Sequence, residues 1–235
     1  MKLRLFGVLV FCGLLIGCAN VGTIEVESNT TPVTDAYANP NKIDSIVAPY
    51  SESLAVEMNI VIAEAKQDFI KGRPNASLNN WATDALLVNQ REFGQGKQIM
   101  CLLNVGGLRN PLNEGDITIG DIFKLMPFDN QVVWVELPTS VLPEMEAYLL
   151  VRGGEPIAGA KFVDDKLVFL DPIKNTPTFW VVTSDYLMNG GDDMDFFEKK
   201  LGAVYPEVLL RDAFIEEAKK QKTLVYNNEE RYLLE

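Results

Sequence analysis

At 235 residues, 47% hydrophobic and 23% charged, the chain can bury the core of one sizeable domain and is too apolar to be disordered throughout. Its net charge of −12 comes without any run of lysine or arginine to neutralise a phosphate backbone, which excludes nucleic acid as the expected partner. There is no histidine, so these residues hold no Ser-His-Asp or Cys-His nucleophile, no imidazole base and no His-ligated zinc or two-metal phosphatase centre, while carboxylate, lysine and tyrosine chemistry stay open.

Lys2 and Arg4 precede an apolar run over residues 5–16, too short for a stable spanning helix, that closes in Leu15-Ile16-Gly17-Cys18. That ending resembles the bacterial lipobox. The resemblance implies cleavage before Cys18 and acylation of its sulfur and amine; the alternatives are a signal peptide without lipid, or chance. Residues 1–17 are thus expected to be a lipoprotein signal peptide, and the protein to be exported and lipid-anchored at the bacterial cell envelope, on its periplasmic or surface side. Cys12 leaves with the signal and Cys18 becomes a thioether, so Cys101 stands alone and no internal disulfide is expected. Residues 18–40, rich in Asn, Thr, Val and Pro and without sustained periodicity, read as a flexible tether for a domain over residues 41–235.

Ile43, Val47, Tyr50, Leu54, Met58, Val61, Ala65 and Phe69 recur at steps of three and four, which predicts one long helix with an apolar stripe, ended by Gly72 and Pro74. A second helix follows, with Ser77 as N-cap and Leu78, Trp81, Ala82, Ala85 and Leu86 on its buried side. Asp84 within it reads as a solvent-facing or capping carboxylate rather than an orienter of a neighbouring loop.

The continuous apolar run Ile99, Met100, Cys101, Leu102, Leu103 predicts a strand buried on both faces. Cys101, without a histidine partner, is a small core residue rather than a nucleophile. The strand ends in Asn104-Val-Gly-Gly-Leu-Arg109. Gly106 and Gly107 let a bound group approach the backbone amides, so Asn104, those amides and Arg109 can converge on one polar or anionic ligand. By itself a Gly-Gly pair after a strand is more often a plain turn.

Thr118 with Asp121 three residues on predicts a capping-box start for a short helix through Leu125, followed by a Pro127-Phe128-Asp129-Asn130 turn. Phe128 has no helix or strand face to bury it there; it either folds back on the core or offers a flat face to a planar ligand. A strand over 132–137, a helix over 139–150 and a hairpin over 161–170 turning at Asp164-Asp165 come next. The buried strand 179–183 then opens into Tyr186 and a Gly190-Gly191-Asp192 turn, the second half that the first loop lacked. Tyr186 is available for stacking and Asp192 for accepting hydrogen bonds from hydroxyls; Asp192, Asp193 and Asp195 lack the remaining ligands of a calcium loop. Asp212 caps a last helix to Gln221, and residues 224–226 close a sheet.

Taken together, these elements resemble the C-terminal domain of the 5′-nucleotidase and UDP-sugar hydrolase family. The likeness runs from about Asn41 onward and is most specific at Asn104-Val-Gly-Gly-Leu-Arg109, at Asp116-Ile-Thr-Ile-Gly-Asp-Ile-Phe123 through Phe128, and from Tyr186 to Asp192. It implies an α+β fold of mixed sheets flanked by helices, and a substrate-binding half in which Phe128 and Tyr186 clamp a base, Arg109 and Asn104 hold the nucleotide and Asp192 takes the ribose hydroxyls. Gly106, Gly107, Gly190 and Gly191 shape that site. The family usually has glycine where Val105 stands, glycine and an aromatic at Asp193 and Met194, and a Gly-Asn pair at Asn79-Asn80. Arg73 is one position off a further family arginine. The metal-bearing half lies N-terminal in the family, so no cofactor is expected in this chain; divalent metals belong to a catalytic partner.

Three readings follow. The chain is the nucleotide-binding half of a 5′-nucleotidase-type phosphohydrolase, completed by a separately encoded metallophosphatase domain protein and not active alone; or it captures nucleosides and nucleotides without hydrolysis; or it is a degenerate structural envelope lipoprotein.

Overall fold

The computed structural model of the protein describes residues 42–233 and the single residue Thr30, so the expected signal peptide, Cys18 and nearly all of the tether lie outside the described residues. The chain divides between Ile46 and Val47, and the account from Val47 onward concerns one unit.

The expected long helix is two elements. Helix α1 runs Lys42–Met58, and after a turn at Asn59 and Ile60 strand β1 runs Val61–Ala65. The three-and-four spacing of Met58, Val61 and Ala65 fits a helix, but the alternating burial of Ala63 and Ala65 shows a strand. β1 pairs antiparallel with β3 (Gly115–Thr118), and ladder hydrogen bonds decide what periodicity left open. The apolar stripe of α1 is exposed: Val47, Tyr50 and Leu54 are each at least half accessible.

Helix α2, Ser77–Asn89, buries Leu78, Trp81, Ala82, Ala85 and Leu86 as its spacing predicts. Ser77 is not its cap. Ala76 holds that position without a side-chain bond, and the Ser77 hydroxyl accepts the Ile70 amide instead, at 3.1 Å. Asp84 does orient a distant segment: it accepts both hydrogen bonds of a forked contact from Arg231, at 2.7 and 2.6 Å, and one from Asn227.

The centre is a five-stranded sheet ordered β5 (Ile157–Ala158), β2 (Ile99–Leu102), β8 (Thr178–Ser184), β4 (Val132–Pro138) and β9 (Gly202–Val204), with β2 and β8 parallel and the other pairs antiparallel. Both of its faces are covered, which is why the apolar runs show no alternation. Cys101, Trp134, Ala158 and Val182 face one core with α2 and the last helix, α6 (Leu210–Gln221). Met100, Leu102, Val133, Val135 and Val181 face the other, with helix α4 (Leu142–Arg152) and Phe162. Trp81, Trp134 and Phe179 are among the fully buried side chains, each contributing roughly 1.5–3 kcal/mol. Cys101 is a free thiol inside this core, pushed well above its ordinary range by burial first and by Asp84 second.

Between β3 and β4, helix α3 (Ile119–Leu125) begins with the expected capping box: Thr118 Oγ1 accepts the Asp121 amide and the Asp121 carboxylate accepts the Thr118 amide. The hairpin also forms, β6 (Ala160–Val163) against β7 (Lys166–Phe169), turning at Asp164 and Asp165 with φ of 49° and 60°, conformations Asp tolerates. The third strand of that sheet is β10 (Tyr232–Leu233), parallel to β6, rather than residues 224–226. Residues 222–224 meet β1 through a single parallel bridge of Thr223 to Glu64, with the Leu224 amide donating to the Glu64 carbonyl and its side chain buried in the core. Asp212 does not cap α6, since Leu209 stands at the N-cap and Asp212 lies in the first turn. The fold is α+β, with mixed sheets flanked by helices.

Candidate functional site

Because β2 and β8 run parallel, with Cys101 opposite Val182, the loops leaving them emerge at one end of the sheet. β4 runs antiparallel to β8, with Val132 opposite Ser184, so the turn entering β4 reaches that same end. Three segments far apart in sequence are thereby brought together: residues 104–109, residues 127–131, and the short helix α5 (Asp185–Met188) with the turn after it.

Their residues line one cleft of about 290 Å³: Asn104, Gly106, Gly107, Arg109, Phe128, Asn130, Tyr186 and Asp192. All but Asn130 were legible in the sequence. Phe128 and Tyr186 are 39% and 47% exposed. Gly190 and Gly191 are not in the lining; they shape it from behind. Gly190 takes φ +87°, and a Cβ on Gly191 would lie 2.5 Å from the Tyr186 ring. A Cβ on Gly107 would lie 2.5 Å from the Asn104 side-chain oxygen. At either glycine an added methyl would displace the neighbouring side chain of the cleft.

Asp192 is the node of the polar wall. Its backbone is left-handed, φ 55° and ψ 29°, and Asp193 follows at φ 64°. Asn104 Nδ2 donates to Asp192 Oδ2 at 2.7 Å, the Tyr186 hydroxyl donates to Oδ1 at 2.9 Å, and the Tyr148 hydroxyl donates to the Asp192 carbonyl at 2.9 Å. The hydrogen bond to Asp192 also raises the Tyr186 phenol above its ordinary pKa. Arg109 is the cation of the lining: its backbone amide donates to the Leu125 carbonyl, its guanidinium donates to the Gly106 carbonyl at 3.3 Å, and the group stands 5.9 Å over the Phe128 ring.

The three stretches that differ from the family pattern are accommodated as follows, although the Asn79 side-chain oxygen is buried without a hydrogen-bond partner. Val105 is buried and gives its amide to Glu155 Oε2 at 2.7 Å. Asp193 adopts the left-handed conformation that glycine favours, and Met194 is fully buried in the core. Asn79 and Asn80 donate to the carbonyls of Gly72 and Glu229 respectively. Arg73 points to Glu155 and takes no part in the cleft. Among the described residues, no group of three or more Asp, Glu or Cys is gathered closely enough to hold a metal ion.

Sequence reasoning missed the supports. Arg211, only 8% exposed, donates to the Phe128 carbonyl at 3.3 Å and to Asp129 at 2.6 Å, and lies 4.1 Å over the Phe123 ring, so α6 fixes the turn that presents Phe128. Glu155, wholly buried, accepts bonds from Arg73 and the Val105 amide. Tyr232 gives its hydroxyl to the Glu155 carbonyl and accepts the Glu155 amide.

With this geometry described, comparison with known proteins gives a consistent result. Residues 61–145 match the model of the 5′-nucleotidase C-terminal domain. A 5′-nucleotidase of Vibrio parahaemolyticus is 22% identical over 134 residues, which are 57% of this chain and 23% of that protein. The solved structure of a 5′-nucleotidase precursor from Thermus thermophilus superposes with a TM-score of 0.65 at 23% identity, covering 84% of this chain and 44% of the other. Haemophilus influenzae NAD nucleotidase gives 0.61 at 17% identity, covering 88% and 42%. The chain therefore spans less than half the length of these relatives, and the structural likeness is one of fold.

Proposed function

From a chain that carries the C-terminal domain of the 5′-nucleotidase family, we propose the substrate-binding half of a 5′-nucleotidase-type phosphohydrolase, acting in nucleotide breakdown at the cell envelope. The observation that carries this reading is the cleft itself: two exposed aromatic rings, an acceptor carboxylate and one arginine converge there from three separate segments. A base between Phe128 and Tyr186 gains stacking energy on each face, because every base offers a π-surface. Asp192, already accepting from Asn104 and Tyr186, keeps lone pairs for the hydroxyls of a sugar. Arg109 supplies positive charge to a phosphate, and the Gly106 and Gly107 backbone allows its approach. That relatives bear the names 5′-nucleotidase and NAD nucleotidase agrees with a nucleotide ligand.

Hydrolysis in this reading needs metals that these residues, without histidine, do not gather in the way a His-ligated phosphatase does. A metallophosphatase half in trans provides them and the attacking water, and this chain provides binding and orientation. The lipobox-like Leu15-Ile16-Gly17-Cys18 supports an envelope location through a lipid on Cys18.

Calorimetric titration with adenosine and its monophosphate tests the binding reading. Saturable heat is the expected result; no response to any nucleoside or nucleotide at millimolar concentration leaves a structural lipoprotein. For the anchor, Cys18→Ser is expected to shift membrane-bound protein to an unprocessed precursor, and wild type found soluble and free of lipid overturns it.

A further inference from the structure

Asp192 is held by more than its cleft partners. Arg152, at the end of α4 and outside the cleft lining, stands with Nη2 3.7 Å from Asp192 Oδ2. Its Nε is buried without a hydrogen-bond partner and lies 3.7 Å from Glu155 Oε1. Glu155 is wholly buried, and its charge is already matched by a direct bond from Arg73. Arg152 thus stands between Glu155 and Asp192, 3.7 Å from each, and with Arg73 the four groups balance two cations against two carboxylates.

This geometry closes a ring. Glu155 also accepts the Val105 amide at 2.7 Å, and Val105 adjoins Asn104, which donates to the same Asp192 oxygen that Arg152 faces. The two ligand loops are thus joined twice, once directly from Asn104 to Asp192 and once behind the site through Glu155 and Arg152. The Asp192 carboxylate, on a left-handed residue in a turn, is held by hydrogen bonds from Asn104 and Tyr186, and the Arg152 cation adds an attraction at Oδ2 that helps fix its direction.

We propose that Arg152 is a positioning residue that aims the Asp192 carboxylate at the hydroxyls of a bound sugar, and thereby sets the preference for ribose over deoxygenated sugars. The inference rests on the proposed nucleoside-binding role of the cleft. Arg152 touches no part of the ligand in this role.

The test compares the purified full chain with its Arg152→Met and Arg152→Lys variants, titrating each with adenosine and with 2′,3′-dideoxyadenosine and recording melting temperatures. For wild type, adenosine should bind the more tightly. In Arg152→Met that preference should fall about tenfold, the size of one weakened charge-assisted hydrogen bond, while affinity for the dideoxy compound stays put. Arg152→Lys restores the charge without the planar fork and should fall between the two. If Arg152→Met fails to fold, the Lys variant decides: a ratio below wild type supports the role. A wild type that discriminates while a folded Arg152 variant discriminates equally well overturns the inference and leaves the binding reading standing. Wild type that binds neither compound overturns the binding reading itself, and wild type that binds both alike overturns the role of Asp192.

Discussion

Phe128 and Tyr186 are held at the cleft by different means. Phe128 sits in a turn fixed by Arg211 through backbone and neighbour, and Tyr186 is fixed by its own hydroxyl on Asp192. Truncating either ring should leave the fold intact and weaken nucleoside binding by ~1–3 kcal/mol, measured by titration. The two substitutions should not add, since in each single variant the remaining wall stacks alone and the ligand shifts within the gap. If the rings instead served the core, Phe128→Ala and Tyr186→Ala would lower the melting temperature with no change in ligand response. Gly191→Ala probes the same ring from behind. Its methyl would meet Tyr186 at 2.5 Å, so the ring must swing and binding should fall, while a thermal melt changes little. At this scale the sequence was informative where chemistry and turn residues coincide, at Gly106, Gly107, Tyr186 and Asp192. It was silent on the roles of Glu155 and Arg211, because an ion pair between residues far apart in sequence leaves no local pattern: the partner of Arg73 is Glu155, and nothing near either residue announces the other.

Among the elements, α3 was legible to the residue because both halves of its start are local. Asp121 has a carboxyl held below its usual range; burial opposes this, but the Thr118 hydroxyl and amide and the Lys124 ammonium outweigh it. A carboxyl lowered in the folded state stabilises above its unfolded value near 3.8 and loses that contribution as pH falls through the folded value. Asp121→Asn should therefore flatten the acid limb of the stability profile below about pH 4, and Thr118→Ala should cost about 1 kcal/mol at neutral pH, both read from denaturant unfolding. The α1 and β1 region was misread for the opposite reason. Met58, Val61, Ala65 and Phe69 keep helical spacing, and no Gly or Pro marks the break at Asn59. The break is set by Gly115–Thr118, a partner strand some fifty residues away that pairs with Val61 and its neighbours. Sheet order was likewise hidden, although the burial of β2 on both faces was plain from its unbroken apolar run.

For the molecule as a whole, the division of labour in the proposed function has a sharp consequence. The purified chain alone should hydrolyse no nucleoside monophosphate with any added divalent metal, in a phosphate-release assay; metal-dependent turnover that follows the chain through every purification step would defeat the two-part scheme. The site is also an assembly of distant parts: cleft loops at 104–109 and 185–192, a turn steadied by α6, and behind them Tyr232, whose hydroxyl meets both backbone groups of Glu155. That last tie gives the protein an order of manufacture. Ribosomes add roughly 5–20 residues per second, so the stretch from Asp192 to Tyr232 takes about 2–8 s to make. Every ligand-facing side chain is therefore finished before the residue that braces the rear of its cleft exists. A chain cut short before Tyr232 would carry every ligand-facing side chain yet lack the hydroxyl that meets both backbone groups of Glu155.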